Sequence, residues 1–186
     1  MTVQLGTLAK LQEKQTLVDL YRDHLSNESL TGVITAFSET FVYLSLFNDS
    51  GQSNGIAIAY VSDITRVRWG GNVRDSISHL MAKEKSLPLA PKLSLASVRD
   101  VIDSVQNQFG YVNILTERMN EGVTFIGEVE SIDDQSLVLN EYGTMSSRDR
   151  HHMLIGLESI SRIDAEAAYE KSIRYLFLQE AGSSLD

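Results

Sequence analysis

The stretch Leu30-Thr-Gly-Val-Ile-Thr-Ala-Phe37 returns later in the chain as Phe125-Ile-Gly-Glu-Val-Glu-Ser-Ile132, with Gly32 and Gly127 standing 95 residues apart. Its surroundings return with it. Val42-Tyr-Leu-Ser-Leu46 is matched by Leu137-Val-Leu139, and Asp63-Ile64-Thr-Arg-Val67 by Ser159-Ile160-Ser-Arg-Ile163. Ile77-Ser-His-Leu80-Met81 is matched by Ile173-Arg-Tyr-Leu176-Phe177. These later pairs lie 96 residues apart, so one extra residue in an intervening loop reconciles the two offsets. Self-similarity at a fixed period marks a duplicated unit, and matching buried patterns demand matching strand registers. Such a pattern specifies what is built far better than what it does.

Within the first copy, alternating and β-branched residues predict strands over 17–21, 30–37, 41–47, 56–61 and 64–69, punctuated by polar turns such as Asn48-Asp-Ser-Gly-Gln-Ser-Asn-Gly55. Five strands in so short a span is the density of a small, strongly bent barrel. Gly32 and Gly127 fall inside strand patterns, where glycine marks a bend or a close backbone approach. A short helix is expected over residues 7–15, and a helix after each set of strands, with Val73, Ile77, Leu80 and Met81 in one stripe and Tyr169, Ile173, Leu176 and Phe177 in the other. Both prolines fall in Leu87-Pro-Leu-Ala-Pro-Lys92, which reads as a linker. Ser94 or Ser97 then caps a helix whose apolar face is Val98, Val101, Ile102, Val105 and Phe109. The expected organisation is a unit over 1–86, a linker over 87–93 and a second unit over 94–186.

Composition narrows the chemistry. The 186 residues include no cysteine, which removes disulfides, thiolate metal sites and thiol nucleophiles. The longest apolar run, 56–61, is too short to span a bilayer, and the polar start Met1-Thr-Val-Gln-Leu-Gly lacks the regions of a signal peptide, so a cytoplasmic protein without membrane contact is expected. A net charge of −9 repels polyphosphate unless cations cluster.

A helix, five bent strands, a glycine in the second strand and an Asp/Ser-Ile-x-x-Val/Ile ending resemble the Sm-like family of small barrels. Met119-Asn-Glu-Gly-Val-Thr-Phe-Ile-Gly127-Glu-Val-Glu-Ser-Ile-Asp133 is similar to the turn, glycine and acidic loop of its bacterial branch, the host-factor RNA chaperone, and Ser159-Ile160-Ser-Arg-Ile163 to its closing strand. Residues 17–46 and Tyr60-Val-Ser-Asp-Ile64-Thr-Arg-Val67 carry the pattern in the first copy. The resemblance implies a mainly β fold with flanking helices: two tandem Sm-like, SH3-like five-stranded bent barrels, each followed by an amphipathic helix. It also implies RNA binding. Yet the positions of the family's Lys-His pair hold Val61-Ser62 and Leu157-Glu158, and those of its stacking aromatic hold Thr40 and Gln135. Without an aromatic face and a cation, neither base stacking nor phosphate neutralisation is available there.

Two segments remain as candidates for binding nucleic acid or a partner. Arg66, Arg68, Trp69 and Asn72 combine guanidinium groups with the only tryptophan. Such a group could stack on a base or anchor a partner, or Trp69 could simply cover a barrel mouth. Arg148, Arg150, His151 and His152 form the one short cationic run, suited to phosphate contacts or to a solvated loop. Adjacent histidines on a strand point to opposite faces and make a poor metal pair. Asp133-Asp134 reads as a turn rather than a catalytic pair. No catalytic, metal or cofactor motif is present, and no small-molecule substrate is evident. The expected function is a non-enzymatic binding and assembly module that engages an unknown protein partner or itself. RNA binding through the arginine-containing loops is the alternative. Since the apolar strand 56–61 would be a hazardous open edge, it should be covered by the second unit or by another chain.

Overall fold

The computed structural model describes residues 4–147 and 149–183. The elements run α1 (Leu5–Glu13), β1 (Leu17–Tyr21), β2 (Leu30–Phe37), β3 (Phe41–Phe47), β4 (Ser53–Tyr60), a 3₁₀ turn (Val61–Asp63), β5 (Arg66–Trp69) and α2 (Asn72–Glu84). Then follow α3 (Val98–Phe109), β6 (Val112–Leu115), β7 (Thr124–Ile132), β8 (Ser136–Glu141), β9 (His152–Gly156), a second 3₁₀ turn (Leu157–Ser159), β10 (Arg162–Ala165) and α4 (Ala168–Ser183). Ser97 caps α3 by accepting a hydrogen bond from the Asp100 amide at 3.1 Å. Among the described residues no helix is long and apolar enough to cross a membrane.

All ten strands form one antiparallel sheet in the order β5-β1-β2-β3-β4-β10-β6-β7-β8-β9. This corrects the expectation of two separate barrels. No pairing joins β4 to β5 or β9 to β10, so neither half closes on itself. The physical reason lies at β4, whose free backbone edge is taken by β10 of the other half, with Ile58 opposite Ile163 and Ile56 opposite Ala165. The apolar strand is thus covered by the same chain.

Strand order is nevertheless the same in the two halves, 5-1-2-3-4 and 10-6-7-8-9. The registers agree as well. Val18 faces Gly32 as Val112 faces Gly127. A bulge interrupts the pairing between Ile34 and Ala36, and another between Val129 and Ser131, increasing the local bend at matching places. A Cβ at Gly32 would run into the carbonyl oxygen of Ser45, and one at Gly127 into that of Asn140. Glycine is required there because the neighbouring strand's backbone occupies the space.

The two faces of the sheet exchange roles at the junction. Val18, Leu20, Ile34, Val42, Leu44, Ala57 and Ala59 line the first half's core, which α1 covers with Leu8 and Leu11. The opposite face of β3 and β4, carrying Phe41, Tyr43, Ile56 and Ile58, joins Ile163, Ile114 and Val112 in the second half's core under Val101, Ile102 and Val105 of α3. The halves therefore share a core and not only a ladder. The proline segment is tied down too: the hydroxyls of Tyr43 and Ser45 both donate to the Leu89 carbonyl, at 2.9 and 2.6 Å. In α2 and α4 the stripes bury Ile77 and Ile173 but leave their first members, Val73 and Tyr169, exposed.

Candidate functional site

Three places on this fold carry chemistry: the joint between β4 and β10, and the two outermost strands. At the joint, Arg22 follows β1 and is completely buried, with its fork laid on the Glu117 carboxylate. Its second branch donates at 2.8 Å, and Glu117 also accepts from the Ser161 hydroxyl at 2.7 Å. Burial pushes the Glu117 carboxyl up, but the Arg22 hydrogen bonds and the charges of Arg162 and Arg22 outweigh it and hold the group below its usual range. Beside this pair, Arg118 donates to the Ile160 carbonyl at 2.6 Å and to Asp63 at 2.5 Å, with its guanidinium 5.1 Å from the Tyr60 ring centroid. Arg22-Asp23 and Glu117-Arg118 are matched positions, 95 residues apart, with both charges reversed. That reversal lets the two halves attract where identical copies would repel.

Below the pair, the Arg162 Nε lies 3.0 Å from the Asp164 carboxylate on the same strand, and 3.4 Å separates another of its nitrogens from Glu117. Glu170, at the start of α4, is 3% exposed. It accepts from the Asn113 amide at 2.7 Å, the Ala167 N–H at 3.0 Å and the Tyr111 hydroxyl at 3.4 Å. Burial, reinforced by the Asp164 charge, raises its carboxyl to about 7. The physical reading is a charge count: two guanidinium groups balance Glu117 and Asp164, leaving Glu170 as the odd carboxylate. Among the described residues no cluster of side chains could hold a metal ion.

The sequence candidates lie elsewhere and apart. Arg66, Arg68 and Trp69 are on β5, one outer strand; Arg150, His151 and His152 lead into and begin β9, the other outer strand. The sheet thus separates the two segments instead of combining them. Arg66 clasps Asp23 at 2.8 and 3.0 Å and lies 3.5 Å from the Tyr21 ring centroid. Those hydrogen bonds, with one from Thr65, hold the Asp23 carboxyl down to about 2. Arg68 donates to Asp19 at 2.8 Å, and Arg74 binds the same carboxylate. Trp69 ends β5 half exposed, and Asn72 opens α2 in solvent. Arg150 pairs with Glu180 and lies 4.6 Å from the Phe177 ring centroid. His151 meets Glu141 and His152 meets Glu130, each at 2.8 Å. The neighbouring imidazoles thus take different partners. Arg148 lies outside the described residues. Asp133 accepts from the Gln135 and Ser136 amides at 2.8 and 2.7 Å, the turn read from the sequence.

Comparison of the chain with protein-family models, with curated proteins and with solved structures finds no match.

Proposed function

We propose that the chain is a tandem pair of Sm-like units, 1–86 and 94–186 joined through 87–93, and that it works as a non-enzymatic assembly module through protein contacts, in the first place with copies of itself. The observation that carries this reading is that the β4·β10 joint has a vacant counterpart. Moved by 96 residues, β4 becomes β9 and β10 becomes β5, the two unpaired edges of the sheet. The same register would set Val67 of one copy opposite Leu154 of another, Arg66 opposite Ile155 and Trp69 opposite His152. Leu154 is 72% exposed on a strand with unpaired backbone groups, an edge that soluble proteins normally blunt or cover. Because the two edges differ, such pairing is head to tail and closes into a ring or continues as a filament. A reducing, cytoplasmic setting fits the absence of cysteine.

The RNA alternative has less support, since each described arginine and histidine of the two segments rests on a carboxylate and would give up that partner to meet phosphate. Light scattering on the purified chain tests the reading. The expected result is a concentration-dependent species larger than the 20.7 kDa chain, reduced by Leu154→Lys and by Val67→Lys. A monomer at about 100 μM, well above the affinity of a useful assembly contact, would overturn it.

A further inference from the structure

Beside β9 opens a pocket of about 460 Å³, walled by Val123 and Phe125 at the start of β7, Ile155 of β9, and Gly156 and Glu158 where β9 passes into its 3₁₀ turn. Glu158 is exposed at its rim. The matching place in the first half is filled from across the joint. There Tyr60 stands where the second half has Gly156, and the Arg118 guanidinium lies 5.1 Å from its ring centroid while donating to Asp63 at 2.5 Å. Arg162 arrives on the same side, pairing in register with Ala59 and bordering a cavity together with Glu28 and Leu30. The pocket beside β9 is therefore the second half's version of a seat that, in the first half, the neighbouring half occupies.

The register assigns an occupant. Arg66 is the counterpart of Arg162, 96 residues earlier, and in the head-to-tail pairing it stands opposite Ile155 as Arg162 stands opposite Ala59. Opposed residues of an antiparallel pair project from the same face of the sheet, so Arg66 enters on the pocket side. The residues around the seat differ between the halves in a way that suits this guest. Glu28 is matched by Val123, but Ser62 is matched by Glu158, so one acid remains beside the incoming arginine. A Cβ at Gly156 would lie 3.7 Å from the Glu158 carboxylate, which therefore leans over the place where the first half carries the Tyr60 side chain. Arg118 is matched by Asp23, and its partner Asp63 by Ser159. The carboxylate that travels with Arg66 thus meets a hydroxyl and not a second acid.

Resting on the self-pairing reading above, we propose that this pocket seats Arg66 of a second copy, with the methylenes of its side chain on Val123, Phe125 and Ile155 and its guanidinium on Glu158. Arginine suits such a seat, since its stem buries against apolar surface while its fork meets a carboxylate. Arg66 is also held ready for it. The Asp23 clasp and the Tyr21 ring, 3.5 Å from its guanidinium, fix one side of a side chain that is otherwise 56% exposed, so little ordering remains to be done on docking.

Charge exchange read by sedimentation velocity tests the seat. The unaltered chain should sediment as a species larger than 20.7 kDa. Glu158→Arg and Arg66→Glu should each weaken association roughly tenfold or more, because like charges then face each other. An equimolar mixture of the two variants should restore it, since the altered β9 edge of one meets the altered β5 edge of the other and the unaltered edges meet as well. Val123→Glu, which supplies the acid that Glu28 supplies in the first half, should tighten association by roughly two- to fivefold, and this arm does not depend on how well either charge-reversed chain folds. Charge-reversed chains that associate like the unaltered one, a mixture that stays dissociated although circular dichroism shows both chains folded, or a Val123→Glu chain that associates no better would each overturn the seat while leaving the edge pairing in place. An unaltered chain that stays monomeric would overturn both.

Discussion

Ile58 and Leu154 hold the same position in matching strands 96 residues apart, yet one is 1% exposed and the other 72%. The difference is not in the residues, which are both large and aliphatic. It lies in what the next strand supplies: β10 pairs with β4 beside Ile58, while among the described residues no strand pairs with β9 on the side away from β8. Burial here is a property of the joint: β4 is paired on both sides, β9 on one.

The contrast is broken most severely at its buried end. Ile58→Lys places an ammonium group in the shared core and should cost at least about 4 kcal/mol in urea denaturation, enough to unfold the chain or part its halves. Glu117→Ala comes next. It strands the fully buried Arg22 without a counter-charge and should cost about 3–5 kcal/mol. Gly32→Ala and Gly127→Ala, each forcing a methyl group against a carbonyl oxygen, should cost about 1–3 kcal/mol and by similar amounts, which sharpens the match between the halves.

A smaller effect is expected with pH. The Glu170 carboxyl lies above its usual value in the folded chain, so the folded state keeps a proton that the unfolded state releases. Below about pH 4.5 both states hold it, and Glu170 then costs nothing; stability falls as pH rises toward about 7 and levels off above it. Part of the fall measured between those limits, on the order of 2 kcal/mol, should vanish in Glu170→Gln. The smallest effect on stability belongs to Leu154→Lys, within about 0.5 kcal/mol of the unaltered chain, because that side chain is in solvent.

Much of the fold was legible in local pattern. β1, β2 and β3 fall where alternation and turn residues place them, and the close approach at Gly32 and Gly127 follows from glycine within a strand. The continuous sheet was not legible, because period-two alternation says which face is buried and not which strand lies alongside. The buried charges at the joint were hidden for a related reason. Arg22, Glu117, Arg162 and Asp164 are scattered in sequence and become neighbours only when β4 meets β10. One signal did point to them, the double charge reversal between Arg22-Asp23 and Glu117-Arg118. Arg66 and Arg68 stand out in the sequence because they flank Trp69, and pattern alone does not reveal that Asp23 and Asp19 hold them.

Amide hydrogen exchange measured over a range of protein concentrations tests the central claim most directly, since it reads the backbone edges themselves. Amides of β4 and β10 should be protected at every concentration, whereas the outward amides of β5 and β9 should exchange rapidly in dilute solution and become protected together as concentration rises. Exchange from β5 and β9 that stays equally fast at every concentration would contradict the account.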